Sequence, residues 1–201
     1  MMKRFLLMLL VLGLGISVAR AGSVNCGGVC NLTFTLSNNG NISGNPGTTV
    51  GWGFTLTNTT NYAVIDASEY DITQNAADGT YSDFMGPNFI VVGPTNGFGD
   101  GPTVSQSFNL LGMLGAGSFA ISPSATIGDF VLGNITLTFD VYSVSPNDPS
   151  FDPFADGLAF GQQVSVPAVV NVTPEPGTLL LLLTATGGGL VLLPRLGRGG
   201  A

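Results

Sequence analysis

Val50-Gly51-Trp52-Gly53-Phe54-Thr55-Leu56-Thr57 alternates without a break. Val50, Trp52, Phe54 and Leu56 fall on one side of an extended chain, and Gly51, Gly53, Thr55 and Thr57 fall on the other. A period of two marks a strand with one face in a core and the other in water. The stretch predicts one strand over 50–57, with Trp52 pointing inward as packing. The same parity recurs on both sides of it. Leu32, Phe34 and Leu36 alternate with Asn31, Thr33 and Thr35, and Ile135, Leu137, Phe139 and Val141 alternate with Thr136, Thr138 and Asp140. Val164, Val166, Ala168, Val170 and Val172 form the last such run, where Pro167 points to an edge strand or a bulge. Shorter apolar runs lie at Tyr62 to Asp66, at Asn88 to Val92 (apolar enough to be buried on both faces), at Val104 to Leu110, at Phe119 to Ile121 and at Thr126 to Leu132.

Turn signals separate these runs: Asn38-Asn39-Gly40, Asn45-Pro46-Gly47, Asp78-Gly79, Asp100-Gly101-Pro102, Gly133-Asn134 and Asp156-Gly157. No long window between Gly22 and Thr173 carries the helical period. Seven to nine short strands with such punctuation predict an all-β fold: a single antiparallel β-sandwich, immunoglobulin-like in general architecture. The Cys-Trp-Cys hallmark of true immunoglobulin domains is absent, because both cysteines precede Trp52. Ser145 to Asp156 reads as a long polar loop. The predicted organisation is a signal peptide over 1–21, the exported domain over 22–172 and a tail over 173–201.

Charge narrows the function. The chain carries a formal net charge of −7 and has no histidine. Its cations are Lys3, Arg4, Arg20, Arg195 and Arg198, all near the ends. Every acidic residue except Glu175 lies between Asp66 and Asp156, a region without one Lys or Arg. Nucleic acid is excluded as a partner, because phosphate contact depends on cationic side chains. A Ser-His-Asp triad, a histidine-ligated metallohydrolase, a Schiff-base lysine and an arginine phosphate clamp are all excluded by the missing residue types. What remains for an enzyme is a carboxylate pair. Glu69 and Asp71 would share one face of an extended chain, but acids near turns usually serve as caps, and the reading is non-enzymatic.

Cys26 and Cys30 are separated by Gly27-Gly28-Val29, a loop flexible enough to allow a local disulfide outside the cytoplasm. Asp148, Asp152 and Asp156 recur every fourth residue in the polar loop. Hard cations prefer several oxygen ligands, which makes these three a candidate calcium site and a calcium-assisted carbohydrate-binding module an alternative function. Sequons of the form Asn-x-Ser/Thr stand at Asn31, Asn41, Asn58, Asn134 and Asn171.

The two ends carry addresses. Lys3 and Arg4 precede an apolar run from Phe5 to Ala19, and Ala19-Arg20-Ala21 offers an A-x-A cleavage site before Gly22, which together predict a secretory signal peptide. At the other end, Pro174-Glu175-Pro176 leads into an apolar run from Gly177 to Leu193, closed by Arg195 and Arg198. As a helix over about 177–194 the run would reach roughly 25 Å, the short end of a bilayer core about 30 Å thick. Arginines beyond it favour a cytoplasmic C-terminus. In order and kind these three parts resemble the PEP-CTERM sorting domain of bacterial exported proteins, over the last 28 residues. The basic end is thin, and Gly187-Gly188-Gly189 interrupts the helix. The resemblance implies secretion machinery and an exosortase-type processing enzyme as partners and a transient membrane anchor. It also implies delivery to the cell surface or extracellular matrix, with a structural or adhesive role in exopolysaccharide. A plain C-terminal membrane anchor is the alternative for this end.

Overall fold

The computed structural model describes residues 20–95 and 98–174. These fold into twelve strands with no α-helix among them: β1 (Ala21–Asn25), β2 (Asn31–Leu36), β3 (Asn41–Gly44), β4 (Thr49–Trp52), β5 (Phe54–Thr57), β6 (Tyr62–Gln74), β7 (Gly79–Asp83), β8 (Ile90–Val92), β9 (Thr103–Gln106), β10 (Gly117–Ile121), β11 (Phe130–Tyr142) and β12 (Gly157–Val172). They form a four-stranded sheet in the order β1-β2-β5-β9, a three-stranded sheet β4-β10-β7 and a five-stranded sheet β3-β12-β11-β6-β8. The all-β expectation holds, with more strands than the runs alone indicate.

The stretch 50–57 is two strands rather than one. It breaks at Gly53: β4 pairs with β10, while β5 pairs with β2 and β9. Alternation runs on through the break because Trp52, Phe54 and Leu56 all enter the same core. Gly53 is where the chain changes sheets, and a Cβ there would lie 2.7 Å from the Gln106 carbonyl oxygen. The sheets are also not purely antiparallel, because β3 runs parallel to β12, from Asn41 opposite Val169 to Gly44 opposite Val172. That ladder starts beyond Pro167, so the proline stands where β12 has no β3 partner for its missing N–H.

Length is the other departure. The short run at Tyr62 continues to Gln74, because Glu69 and Asp71 face outward while Ser68 and Tyr70 face inward. β8 is buried at all three positions, as its composition predicts. One continuous core takes side chains from all three sheets, including Phe34, Trp52, Leu56, Phe119, Leu137, Phe139, Val166 and Val170. Trp52 is fully buried, and its indole N–H donates to the Gly40 carbonyl at 2.8 Å. Tyr70 meets Trp52 edge-on at 5.3 Å and Phe119 at 5.8 Å, and its hydroxyl donates to the Val131 and Ala168 carbonyls. Burial pushes this phenol upward, so it stays a donor in a core that tolerates polar groups only when they are paired.

Among the described residues no helix is long and apolar enough to cross a membrane. The predicted signal peptide up to Ala19 and the predicted helix over about 177–194 lie outside the described residues.

Candidate functional site

β11 defines the outward face of the five-stranded sheet. Val131, Ile135, Leu137, Phe139 and Val141 are fully buried, which leaves Asn134, Thr136, Thr138, Asp140 and Tyr142 in one column on the opposite face. Two register shifts flank Asp140. On β6, Ala67 pairs with Thr138 and Ile65 with Phe139, so Asp66 is an extra, unpaired residue. On β12, Gln162 pairs with Phe139 and Ala159 with Val141, so Phe160 and Gly161 stand together opposite Asp140. Gly161 takes φ +59, in the left-handed region that glycine enters freely, and its N–H donates to Asp140 Oδ1 at 2.8 Å. Bulges bend a strand and re-aim its side chains. This pair sets an acid on one side of Asp140 and an aromatic ring on the other.

The result is one patch of rings and carboxylates. Tyr142 donates its hydroxyl hydrogen to Asp140 Oδ2 at 3.3 Å. Phe151 and Phe160 both stand edge-on to the Tyr142 ring, with centroids 5.1 Å and 6.0 Å away. Phe160 is 58% exposed and Phe154 is 97% exposed, values that packing in a core does not explain. Gly157 makes room for Phe160, since a Cβ there would lie 2.2 Å from its Cζ. Desolvation, helped by repulsion from Asp140, pushes the Asp66 carboxyl up to about 6. Desolvation also raises Tyr142, assisted by the charge of Asp140, the hydrogen bond to it and the charge of Asp66. Flat ring edges and faces beside hydrogen-bond acceptors can hold a ligand that is apolar on one face and rich in donors at its rim.

The loop that carries Phe151 is fixed from beneath. Asp100 is buried and accepts hydrogen bonds from Ser145 Oγ and, at 2.7 Å, from Asn147 Nδ2. At the base of the loop the Ser143 N–H donates to the Asp156 carbonyl at 2.9 Å. Asp148, Asp152 and Asp156 are not brought together. Asp148 Oδ1 caps the N–H and hydroxyl of Ser150. Asp152 Oδ1 accepts from the N–H groups of Phe154 and Ala155, and Asp156 Oδ2 accepts from the N–H of Asp152. Each carboxylate accepts from a nearby backbone N–H, as short acidic side chains in turns do. No group of three metal-ligating side chains exists among the described residues. The three acids of the calcium expectation are thus engaged by backbone N–H groups of the loop, Asp148 in one turn and Asp152 with Asp156 in the next.

Glu69 and Asp71 do share the outward face, above a shallow notch of about 280 Å³ with Thr136, Thr138, Gln163 and Ser165. Asp71 Oδ2 accepts from Thr136 Oγ1, which also meets Ser165 Oγ at 2.9 Å, so this acid belongs to a cross-strand hydroxyl ladder. A larger cleft of about 480 Å³ opens where the chain changes sheets, lined by Thr35, Ser37, Gly53, Thr55, Ser105 and Phe108 among others, and it contains no titratable group.

Cys26 and Cys30 are joined as a disulfide, with Cα atoms 5.0 Å apart, in the turn between β1 and β2. Ala21 and Gly22 open β1, and Pro174 is the last described residue. Ala19, Glu175, Pro176, Arg195 and Arg198 lie outside the described residues. Of the sequon asparagines, Asn58 is buried, with its amide donating to the Asn61 and Val92 carbonyls.

The sequence reading did not anticipate the proximity of Asp66 to Asp140, nor the roles of Tyr142, Phe151 and Phe160. One signal was present: Phe160-Gly161-Gln162-Gln163, just before the last run, breaks the alternation that leads into it, as a bulge does.

No family model matches the chain, and no curated protein matches it. Among solved structures, the third cohesin of ScaC from Acetivibrio cellulolyticus, in complex with the ScaB dockerin, is similar at 16% identity. The match covers 67% of this chain and 97% of that one, with a TM-score of 0.27. At that score the fold assignment stands on the strands themselves.

Proposed function

We propose that this chain is an exported, non-enzymatic protein of the cell surface or extracellular matrix, a β-sandwich module that binds polysaccharide through the patch around Tyr142. One observation carries the reading, the position of that patch relative to the tail. β11 and β12 are paired from Phe130 opposite Asn171 to Tyr142 opposite Gly157. Thr173 is fastened at the first end, its N–H donating to the Gly44 carbonyl at 2.9 Å. At about 3.4 Å per residue, the rings therefore stand roughly 40 Å from the point where the tail departs. A module held at a membrane by the apolar run from Gly177 to Leu193 would present this patch outward. The Pro174-Glu175-Pro176 tail supports sorting by an exosortase-type enzyme, with the membrane as a transient partner and exopolysaccharide as the final surroundings.

Intact mass spectrometry of the protein recovered from the native cell surface and medium tests the sorting. The expected species starts near Gly22 and ends close to Pro174-Glu175-Pro176. A species that retains Leu179 to Ala201 and is confined to membranes would replace sorting with plain anchoring. A glycan array tests the binding. Retention that Tyr142→Ala and Phe160→Ala abolish is expected, and retention indifferent to both would remove the patch from the reading.

A further inference from the structure

The patch is aromatic, but its acceptors are anionic, and none of the described residues found against them is a cation. Asp140 accepts from Tyr142, whose ring is flanked by those of Phe151 and Phe160, and Asp66 is the bulged residue of the neighbouring strand. Among the described residues the sole Lys or Arg is Arg20, at the start of β1. A uronic-acid polymer would meet two carboxylates and find no counter-charge. A neutral glucan would use the rings and leave the charge of the pair unanswered. A sugar bearing a protonated amine would use both features. Its C–H face can lie on Tyr142 and Phe160, its ammonium can donate charge-assisted hydrogen bonds to the carboxylates of Asp66 and Asp140, and the neighbouring rings add cation–π attraction. We propose that the face around Tyr142 is a binding site for amine-bearing polysaccharide, a polymer of hexosamine units with free amino groups, held by the carboxylates of Asp66 and Asp140 and the rings of Tyr142, Phe151 and Phe160. This rests on the polysaccharide reading above and adds the ligand class.

The two bulges are the structural reason that acid and ring meet. As the extra residue on β6, Asp66 stands outside the regular ladder. Without Phe160 and Gly161 opposite Asp140, the ring would not flank the acid.

The test is isothermal titration of the full chain at neutral pH, in a detergent without a sugar headgroup. The probes are glucosamine hexamer, N-acetylglucosamine hexamer, glucose hexamer and galacturonate hexamer. Glucosamine hexamer should bind at least tenfold tighter than the acetylated and neutral hexamers, and galacturonate should not bind. Asp66→Asn and Asp140→Asn should each weaken the glucosamine hexamer about tenfold and leave the neutral hexamers unchanged. Phe160→Ala should weaken every hexamer that binds. Asp129→Asn, at the tail end of β11, controls for the general negative charge of the protein, and an equal loss in that variant would overturn the site. Equal affinity for glucosamine and glucose hexamers would overturn the amine requirement while leaving polysaccharide binding intact. Binding of none of the four would overturn both. Melting temperatures of the variants, compared with the parent, separate lost contacts from lost fold.

Discussion

Trp52 shows what one side chain holds. Its ring is fully buried against Tyr70 and Tyr81, and its N–H satisfies the carbonyl of Gly40. Trp52→Phe keeps an aromatic ring but leaves that buried carbonyl without its donor. We expect a loss of about 1–3 kcal/mol, read from urea unfolding, of the size that an unsatisfied buried acceptor costs. Asp66 gives a pH signature. Its pKa is raised from 3.8 to about 6 by desolvation and by Asp140, so the folded state holds this proton more tightly than the unfolded chain does. A carboxyl shifted upward contributes no penalty below pH 4 and its full penalty above pH 6, so stability falls across that window. Thermal melts of Asp66→Asn and the parent should therefore coincide near pH 3.5, and the variant should be the more stable above pH 6.5. A constant difference across the range would remove the shift. The inward place of Trp52 was legible because alternation is local. The environment of Asp66 was not, because Asp140 lies far along the chain and reaches it only through the β6–β11 ladder.

Among the elements, the break at Gly53 divides one alternating run between two sheets. Gly53→Ala places a methyl group 2.7 Å from the Gln106 carbonyl and 3.2 Å from Ser107 Cα, both backbone atoms that cannot turn aside. Overpacking of this kind costs about 1–3 kcal/mol, checked by denaturant unfolding. The loop from Ser143 to Asp156 depends on Asp100 in the same way. Asp100→Ala removes the acceptor for Ser145 Oγ and Asn147 Nδ2. Amide hydrogen exchange should then rise at Phe151, Ala155 and Asp156 while β11 keeps its protection, since local openings follow the loss of local bonds. Added calcium at millimolar concentration should leave the melting temperature unchanged, because the three acids of this loop are each engaged by its backbone N–H groups. The run 50–57 announced a strand and its inward face, but not its division. Both halves look into one core, and only the choice of hydrogen-bonding partner separates them.

The whole molecule closes on its last strand. β12 pairs with β11 along its length and with β3 over Val169–Val172, and Thr173 is fastened to Gly44. A chain ending at Thr173 should melt where the longer one does. A chain ending at Ala168 loses the buried Val170 and Val172 together with the whole β3 ladder. Two such valines alone are worth about 3–6 kcal/mol, much of the 5–15 kcal/mol that holds a typical domain together, and circular dichroism should show it unfolded at 37 °C. The sequence by itself determined the all-β class, the inward parity of most strands, the anionic character of the region between Gly22 and Thr173, and the address-like composition of both ends. These are properties of neighbouring residues and of composition, which need no fold to be read. The tertiary structure alone decided the parallel β3–β12 pair, the sheet change at Gly53, and the meeting of Asp66, Asp140, Tyr142 and Phe160. Each depends on register between segments distant in the chain. A one-residue bulge redirects a side chain without altering the composition around it.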